Sequence, residues 1–380
     1  MSPIVIIGSG LAAYTTAREL RKLDKEAPLA VITRDHGEFY SKPMLSNGFA
    51  ANKTADQLAM KTAEQMAAEL GAQVLTRVEV EAIDSECREV RWAGHHLAYS
   101  KLVLALGADQ TDPGLDGDGA AEVLTVNDLA SYRHCRALLA DRRKVVILGA
   151  GLIGCEFAND WLSAGIDVTL VDPAGWPLSR LLPEATGHYL AGRLSDAGIR
   201  FHLGAAARSV SKHGQSYSVQ LDNGELLEAD LVLSAIGLRP RTGLAQAAGL
   251  HTGRGIIVDR TLRTSADGIY ALGDCAQVDG LTLPFVMPLM QAARTLAQTL
   301  AGNPTEVCYP AMPVVVKTPA CPTTICPPPA GARGEWRETA IDGGMRALFV
   351  DEGDAPLGYA LLGAANGEKQ ALTAQMPSWL

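Results

Sequence analysis

The chain has 380 residues, 47% of them hydrophobic and 20% charged, and a formal net charge of −9 at pH 7. This is ordinary globular usage, which excludes a disordered chain, a coiled coil and a disulfide-dense scaffold, and the length predicts two or three domains. The acidic balance, without a clustered run of Lys and Arg, argues against a nucleic-acid or anionic-membrane partner. No apolar stretch approaches the roughly 18 residues that span a bilayer, and MSPIVIIGSG lacks the basic start of a signal peptide. A cytoplasmic location is expected, with the seven cysteines as reduced thiols.

In chain order, IVIIGSGLAA at 4–13 opens with a β-branched run and a glycine-rich turn. Helical sequence follows (YTTARELRKL), then a second apolar strand, PLAVIT, at 28–33. An apolar strand at 102–106 ends at Gly107, where the chain is expected to cross between domains. VVILGAGLIG at 145–154 repeats the opening pattern. It leads through CEFANDWLSAG to the strand DVTLVD at 167–172, giving a second strand–helix–strand unit with a right-handed crossover. A strand at 231–236 ends at Gly237 and marks the return crossing. After IYALGDCA at 269–276, a helix is predicted from near Pro288 to Gly302. Seven prolines between Pro310 and Pro329 announce a change, and RALFVD and LGYALLGA then read as strands of a small α+β domain.

The two glycine turns carry chemistry. Gly8, Gly10 and Ala13 form G-x-G-x-x-A after a strand: one residue for the tight turn, one for close approach to a pyrophosphate, one for helix packing. The helix N-terminus adds free N–H groups and partial positive charge. Asp35, just past the next strand, is placed to accept from a ribose hydroxyl. Gly149, Gly151 and Gly154 repeat the pattern, and Asp172 ends the following strand. An acidic residue there binds a 2′-hydroxyl and repels a 2′-phosphate, which favours NADH over NADPH. Two such folds in one chain imply one bound redox cofactor and one diffusible nucleotide.

TSADGIYALGDCA at 264–276 allocates them. It resembles the second FAD fingerprint of the two-dinucleotide-binding-domain flavoprotein reductases, a resemblance that covers at least residues 1–311. The resemblance implies an α/β fold with two Rossmann-like nucleotide-binding domains and a small α+β C-terminal domain. The FAD-binding domain would span 1–107 and 242–311, with the NADH-binding domain, 108–241, inserted in it and the C-terminal domain at 312–380. The implied FAD contacts are Gly8, Gly10, Leu11, Ala12, Ala13, Asp35, Gly107, Gly273, Asp274 and Met290. The implied NADH contacts are Gly149, Gly151, Ile153, Gly154, Glu156, Asp172 and Gly237. Glu156, in the first turn of its helix, resembles the family glutamate that faces the nicotinamide carboxamide.

Family branches that use a redox cysteine pair carry it early in the chain or as C-x-x-C in the middle domain, and neither occurs here. The peroxidase, oxidase and coenzyme-A disulfide reductase members place a single cysteine in the segment matching FYSKPMLSNGF at 39–49, which has none. YSKPMLS instead resembles reductases that pass electrons from FAD to small iron proteins, with Lys42 and Pro43 beside the flavin. Met44 and Asn47 depart from the ferredoxin branch, and Lys317-Thr318-Pro319 is similar to the rubredoxin and flavorubredoxin branch. The resemblance therefore implies NADH as donor and rubredoxin as acceptor, for a chain such as alkane hydroxylation. A ferredoxin or flavorubredoxin acceptor, an NADH oxidase and a non-catalytic NADH sensor stand as alternatives. Lys42, Lys317 and Glu156 are the expected catalytic residues. Cys321 and Cys326 form C-x4-C, but Pro322 and Pro327–Pro329 preclude the helix a reactive pair needs, so inert thiols are expected. The eight scattered histidines suggest no metal site.

Overall fold

The structure, a computed structural model, describes residues 2–380; Met1, the first residue of the expected FAD-binding domain, lies outside the described residues. Two parallel sheets organise the chain. In the first, strands run in the order Ile269–Ala271, Lys101–Leu104, Ile4–Ile7, Leu29–Ile32 and Gln73–Leu75. In the second the order is Arg200–Leu203, Asp167–Asp172, Lys144–Leu148 and Leu231–Ser234. Strands covered on both faces read as continuous apolar runs, and IVII and LAVI are buried at every position.

Helix Leu11–Leu23 follows the first glycine turn and helix Leu152–Leu162 the second. Helix Val286–Leu300 lies against the 11–23 helix in the first core. Its start, expected near Pro288, falls two residues earlier, with Pro288 inside the first turn, where its missing N–H costs nothing. The strands expected at 102–106 and 231–236 end at Leu104 and Ser234. Beyond them the chain leaves each sheet and forms a separate two-stranded antiparallel ribbon, Ala108–Gln110 with Leu238–Pro240.

Two antiparallel three-stranded sheets, at residues 82–98 and 207–229, were not anticipated. A five-stranded antiparallel sheet closes the chain, ordered Val314–Val316, Thr323–Cys326, Pro356–Gly363, Gly344–Val350 and Glu335–Ile341.

The packing crosses from one sheet to another. A second core joins Leu45 and Leu58, the 152–162 helix, and Val316, Ile325, Ala347 and Leu362 of the last sheet. The segment at 38–56 docks on helix Leu129–Leu139. There Arg133 donates both terminal nitrogens to Glu38 and its Nε to Asp56. The Leu129 N–H donates to the Tyr40 hydroxyl, and the Arg136 guanidinium lies 3.5 Å from the Phe49 ring centroid. At the far end, Trp379 N–H donates to the Tyr309 carbonyl at 2.7 Å, and Trp379 and Leu380 pack on the first core.

Candidate active site

The central strand Ile4–Ile7 delivers Gly8 to the carboxyl end of the first sheet with φ +119°, and a β-carbon there would stand 2.3 Å from the Ala105 carbonyl oxygen. Only glycine fits that approach. Gly10 caps the 11–23 helix without a side-chain hydrogen bond, no acidic residue occupies its first turn, and nothing lies within 4 Å of where its β-carbon would be. Leu11 lies half-buried, and Ala12 and Ala13 are buried in that turn. A β-carbon on Gly273 would come 3.0 Å from that of Ala12, so Asp274, in the Gly273–Cys275 turn, sits beside the same helix start. Met290 approaches from the 286–300 helix, its sulfur accepting from Thr15 at 3.7 Å. Asp35 is exposed, and its Oδ1 already accepts from Ser9 at 2.8 Å, from Thr33 at 2.7 Å and from the Gly37 N–H. A ribose hydroxyl would have to use the other oxygen.

The second turn repeats this geometry more tightly. A β-carbon on Gly154 would lie 1.9 Å from the Gly149 carbonyl oxygen, where Ala13 of the first turn tolerates one. Gly151 caps its helix with no side-chain bond, no first-turn acid and open space in front, and Ile153 is 37% exposed beside it. Asp172 accepts from the Ala150 N–H at 2.7 Å and the Ala174 N–H at 2.8 Å, so it also braces the turn. Gly107 and Gly237 flank the two-stranded ribbon where the chain crosses, the Gly237 carbonyl accepting from the Thr111 N–H. Both helix starts fit a pyrophosphate: free N–H groups, positive end and room for the backbone to touch the ligand.

Of the three charged residues expected from the motifs, Glu156 and Lys317 pair with each other, and Lys42 feels the charge of Asp274. Lys42 and Pro43 begin the 3₁₀ turn Lys42–Asn47, with proline at the helix start. Burial holds the Lys42 ammonium below the ordinary lysine pKa, against the pull of Asp274. Among the described residues Lys42 forms no ion pair. Glu156 is 1% exposed and accepts from the Ser46 hydroxyl at 2.7 Å, from the Lys317 backbone N–H at 3.1 Å and from the Lys317 ammonium. Thus Glu156 ties three stretches of chain together. It is the fifth residue of its helix, just past the first turn in which it was expected.

Sequence reasoning missed Ser46 and Asp160. Ser46 lies inside YSKPMLS, and Asp160 falls one helical turn after Glu156, so an i, i+4 reading of CEFAND was the available signal. Asp160 is buried and accepts from the N–H groups of Phe49 and Ala50. Cys321 and Cys326 are free and buried in and beside the strand Thr323–Cys326, and burial raises both thiols, that of Cys326 to about 12, which disfavours the thiolate.

This fold and this pair of turns belong together: the chain is a member of the pyridine nucleotide-disulphide oxidoreductase family, whose model matches residues 2–298. Residues 306–376 match a second model, described as the rubredoxin binding C-terminal domain. The chain is 51% identical over its full length to the rubredoxin-NAD(+) reductase of Alcanivorax borkumensis, covering 99% of that protein. It is 48% identical to the rubredoxin-NAD(+) reductase of Acinetobacter baylyi, over 98% of this chain and 97% of the other. Among solved structures, the ferredoxin reductase for the CYP199A2 system of Rhodopseudomonas palustris superposes with a TM-score of 0.87 at 27% identity, covering 99% of this chain and 96% of that one. FAD as bound cofactor and NADH as reductant follow from the family, and both turns fit them. No helix among the described residues is long and apolar enough to cross a membrane.

Proposed function

We propose that the chain oxidises NADH and passes the electrons singly to rubredoxin in the cytoplasm, supplying a chain such as alkane hydroxylation. The observation that carries this reading is the junction at Glu156, on the helix after the second glycine turn, which holds both Ser46, in the turn that starts at Lys42, and Lys317. Lys317 belongs to the part of the chain that matches the rubredoxin binding domain. Bound FAD supplies the conversion between two-electron and one-electron chemistry. The protein supplies position and field.

In this reading Gly8, Gly10, Leu11, Ala12, Ala13, Gly107, Gly273, Asp274 and Met290 hold FAD, with Asp35 at its ribose. Gly149, Gly151, Ile153, Gly154 and Gly237 receive NADH, and Asp172 disfavours a 2′-phosphate. Lys42 presents its partly desolvated cation to the flavin. Glu156 orients Lys317 there and closes the nicotinamide side. The division into 1–107 with 242–311, 108–241 and 312–380 is supported by the two crossings at the Ala108–Gln110 and Leu238–Pro240 ribbon.

The test is NADH titration of the purified holoprotein followed by stopped-flow mixing with rubredoxin, ferredoxin or oxygen. Rapid rubredoxin reduction with slow reaction toward the other two is expected, and a Cys321→Ala, Cys326→Ala double variant keeps that rate. Rapid transfer to ferredoxin or oxygen instead would reassign the acceptor. Loss of transfer in the double variant would restore a thiol route.

A further inference from the structure

The 152–162 helix carries two carboxylates on one face, a turn apart, and both reach out of their own sheet to the same short segment. Glu156 takes the Ser46 hydroxyl. Asp160 is 2% exposed, with Oδ1 accepting the Ala50 N–H at 2.8 Å and Oδ2 the Phe49 N–H at 3.2 Å. A carboxylate buried at this level is costly unless its oxygens are satisfied, and here backbone N–H groups do so. Burial raises the Asp160 pKa, and the Ala50 and Phe49 donors and the Arg136 charge pull against it. From the other side Arg136 stacks on Phe49, and Tyr132 fills the space in front of Gly48, where a β-carbon would stand 2.1 Å from its hydroxyl. The turn at 48–50 is therefore clamped between two helices of the neighbouring unit. The 3₁₀ turn that starts at Lys42 ends directly against this clamp.

We propose that Asp160 is a positioning residue for reduction of the flavin by NADH: by gripping the N–H groups of Phe49 and Ala50 it fixes the 42–50 segment, and with it Lys42. This rests on the reading that Lys42 faces the flavin. Asp160 touches no cofactor; it acts through backbone that is 110 residues away in the chain. Because the grip is on main-chain groups, a change of residue type at 49 or 50 would leave it in place, whereas a change at 160 would not.

Asp160→Asn is the variant of choice, being isosteric yet turning one acceptor oxygen into a donor amide that faces an N–H group. In holoprotein, anaerobic stopped-flow mixing with saturating NADH reads flavin reduction directly. The expected result is about ten- to a hundredfold slower reduction, the scale of small misplacements at a reacting centre. The half-saturating NADH concentration stays within about twofold, as for loss of an interaction made only in the transition state.

The deciding measurement is a double-mutant cycle with Lys42→Met. If Asp160 acts through Lys42, adding Asp160→Asn to Lys42→Met changes the rate by less than about twofold, since coupled sites are not additive. Multiplying effects would show a general structural role and overturn the proposal. Normal reduction in Lys42→Met alone would overturn the site reading as well, and so would be distinguishable. If Asp160→Asn yields no holoprotein, Arg136→Gln, which removes the guanidinium over Phe49, takes its place in the same cycle with the same two outcomes.

Discussion

The helix after the first glycine turn buries Ala12, Ala13, Tyr14, Thr15, Thr16, Ala17 and Leu20, a face without a single charge. The helix after the second buries Glu156, Asn159 and Asp160 among Cys155, Phe157, Ala158 and Trp161. The first packs on the 286–300 helix within its own sheet's core, while the second contributes to a core that includes Leu45, Leu58 and Val316 from elsewhere in the chain. One strand–turn–helix pattern thus occurs twice with opposite duties. The first copy presents a neutral buried face to its own core, as would suit the bound cofactor proposed for it. The second holds its neighbours by buried carboxylates, which on the proposed function would link the NADH turn to the segment that carries Lys42.

The largest effect should come from unbalancing the second helix. Lys317→Met leaves Glu156 buried without its cation, a loss of about 3–5 kcal/mol by the usual cost of an orphaned buried charge. Denaturant unfolding measures it, and Glu156→Gln added to Lys317→Met should restore most of the loss. No equivalent single change exists in the first helix, whose buried face is neutral.

Next come the glycines, where the proposed division of the two copies can be tested. Gly154→Ala drives a β-carbon into the Gly149 carbonyl and should weaken NADH use by about 1–3 kcal/mol, the usual cost of overpacking, while FAD stays bound. Gly8→Ala meets the Ala105 carbonyl in the same way and should instead release FAD. Flavin content of the purified variants, and NADH titration of those that keep it, separate the two. Exchanged or equal phenotypes would remove the division of labour.

The smallest effect is a pH dependence. Burial depresses the Lys42 pKa from 10.5, so in flavin-free protein its charge destabilises the fold fully below the folded-state pKa. That penalty fades as pH rises through the folded value toward the unfolded one. Lys42→Met should therefore be the more stable protein at neutral pH, with the gap closing in the alkaline range. A gap that widens with pH would contradict a desolvated lysine.

Much of this was legible in the residues. The glycine spacings, β-branched runs and the strand Asp167–Asp172 match the structure directly, because buried parallel strands are written as unbroken apolar runs. The sheets at 82–98 and 207–229 were not legible, since the strands of the first are short, as in HHLA at 95–98, and those of the second are polar and mostly half-buried, as in ARSVSKH at 207–213. Nor was the clamp. Asp160 on a helix reads as a solvated carboxylate until its partners, Phe49 and Ala50, are brought in from the other end of the sequence. Lys317 was legible only by resemblance, and its partnership with Glu156 spans 161 residues.

The way the first sheet is assembled bears on how the chain comes to exist at all. Its edge strand Ile269–Ala271 pairs with Lys101–Leu104, and its core is finished by Tyr309, Trp379 and Leu380. On a ribosome, where earlier domains ordinarily fold as they emerge, the four-stranded sheet at 144–234 can pair all its strands while the sheet that begins at Ile4 still waits for Ile269–Ala271. Such long loop closures slow folding. The incomplete sheet would meanwhile expose the edge of Lys101–Leu104 until Ile269–Ala271 is made.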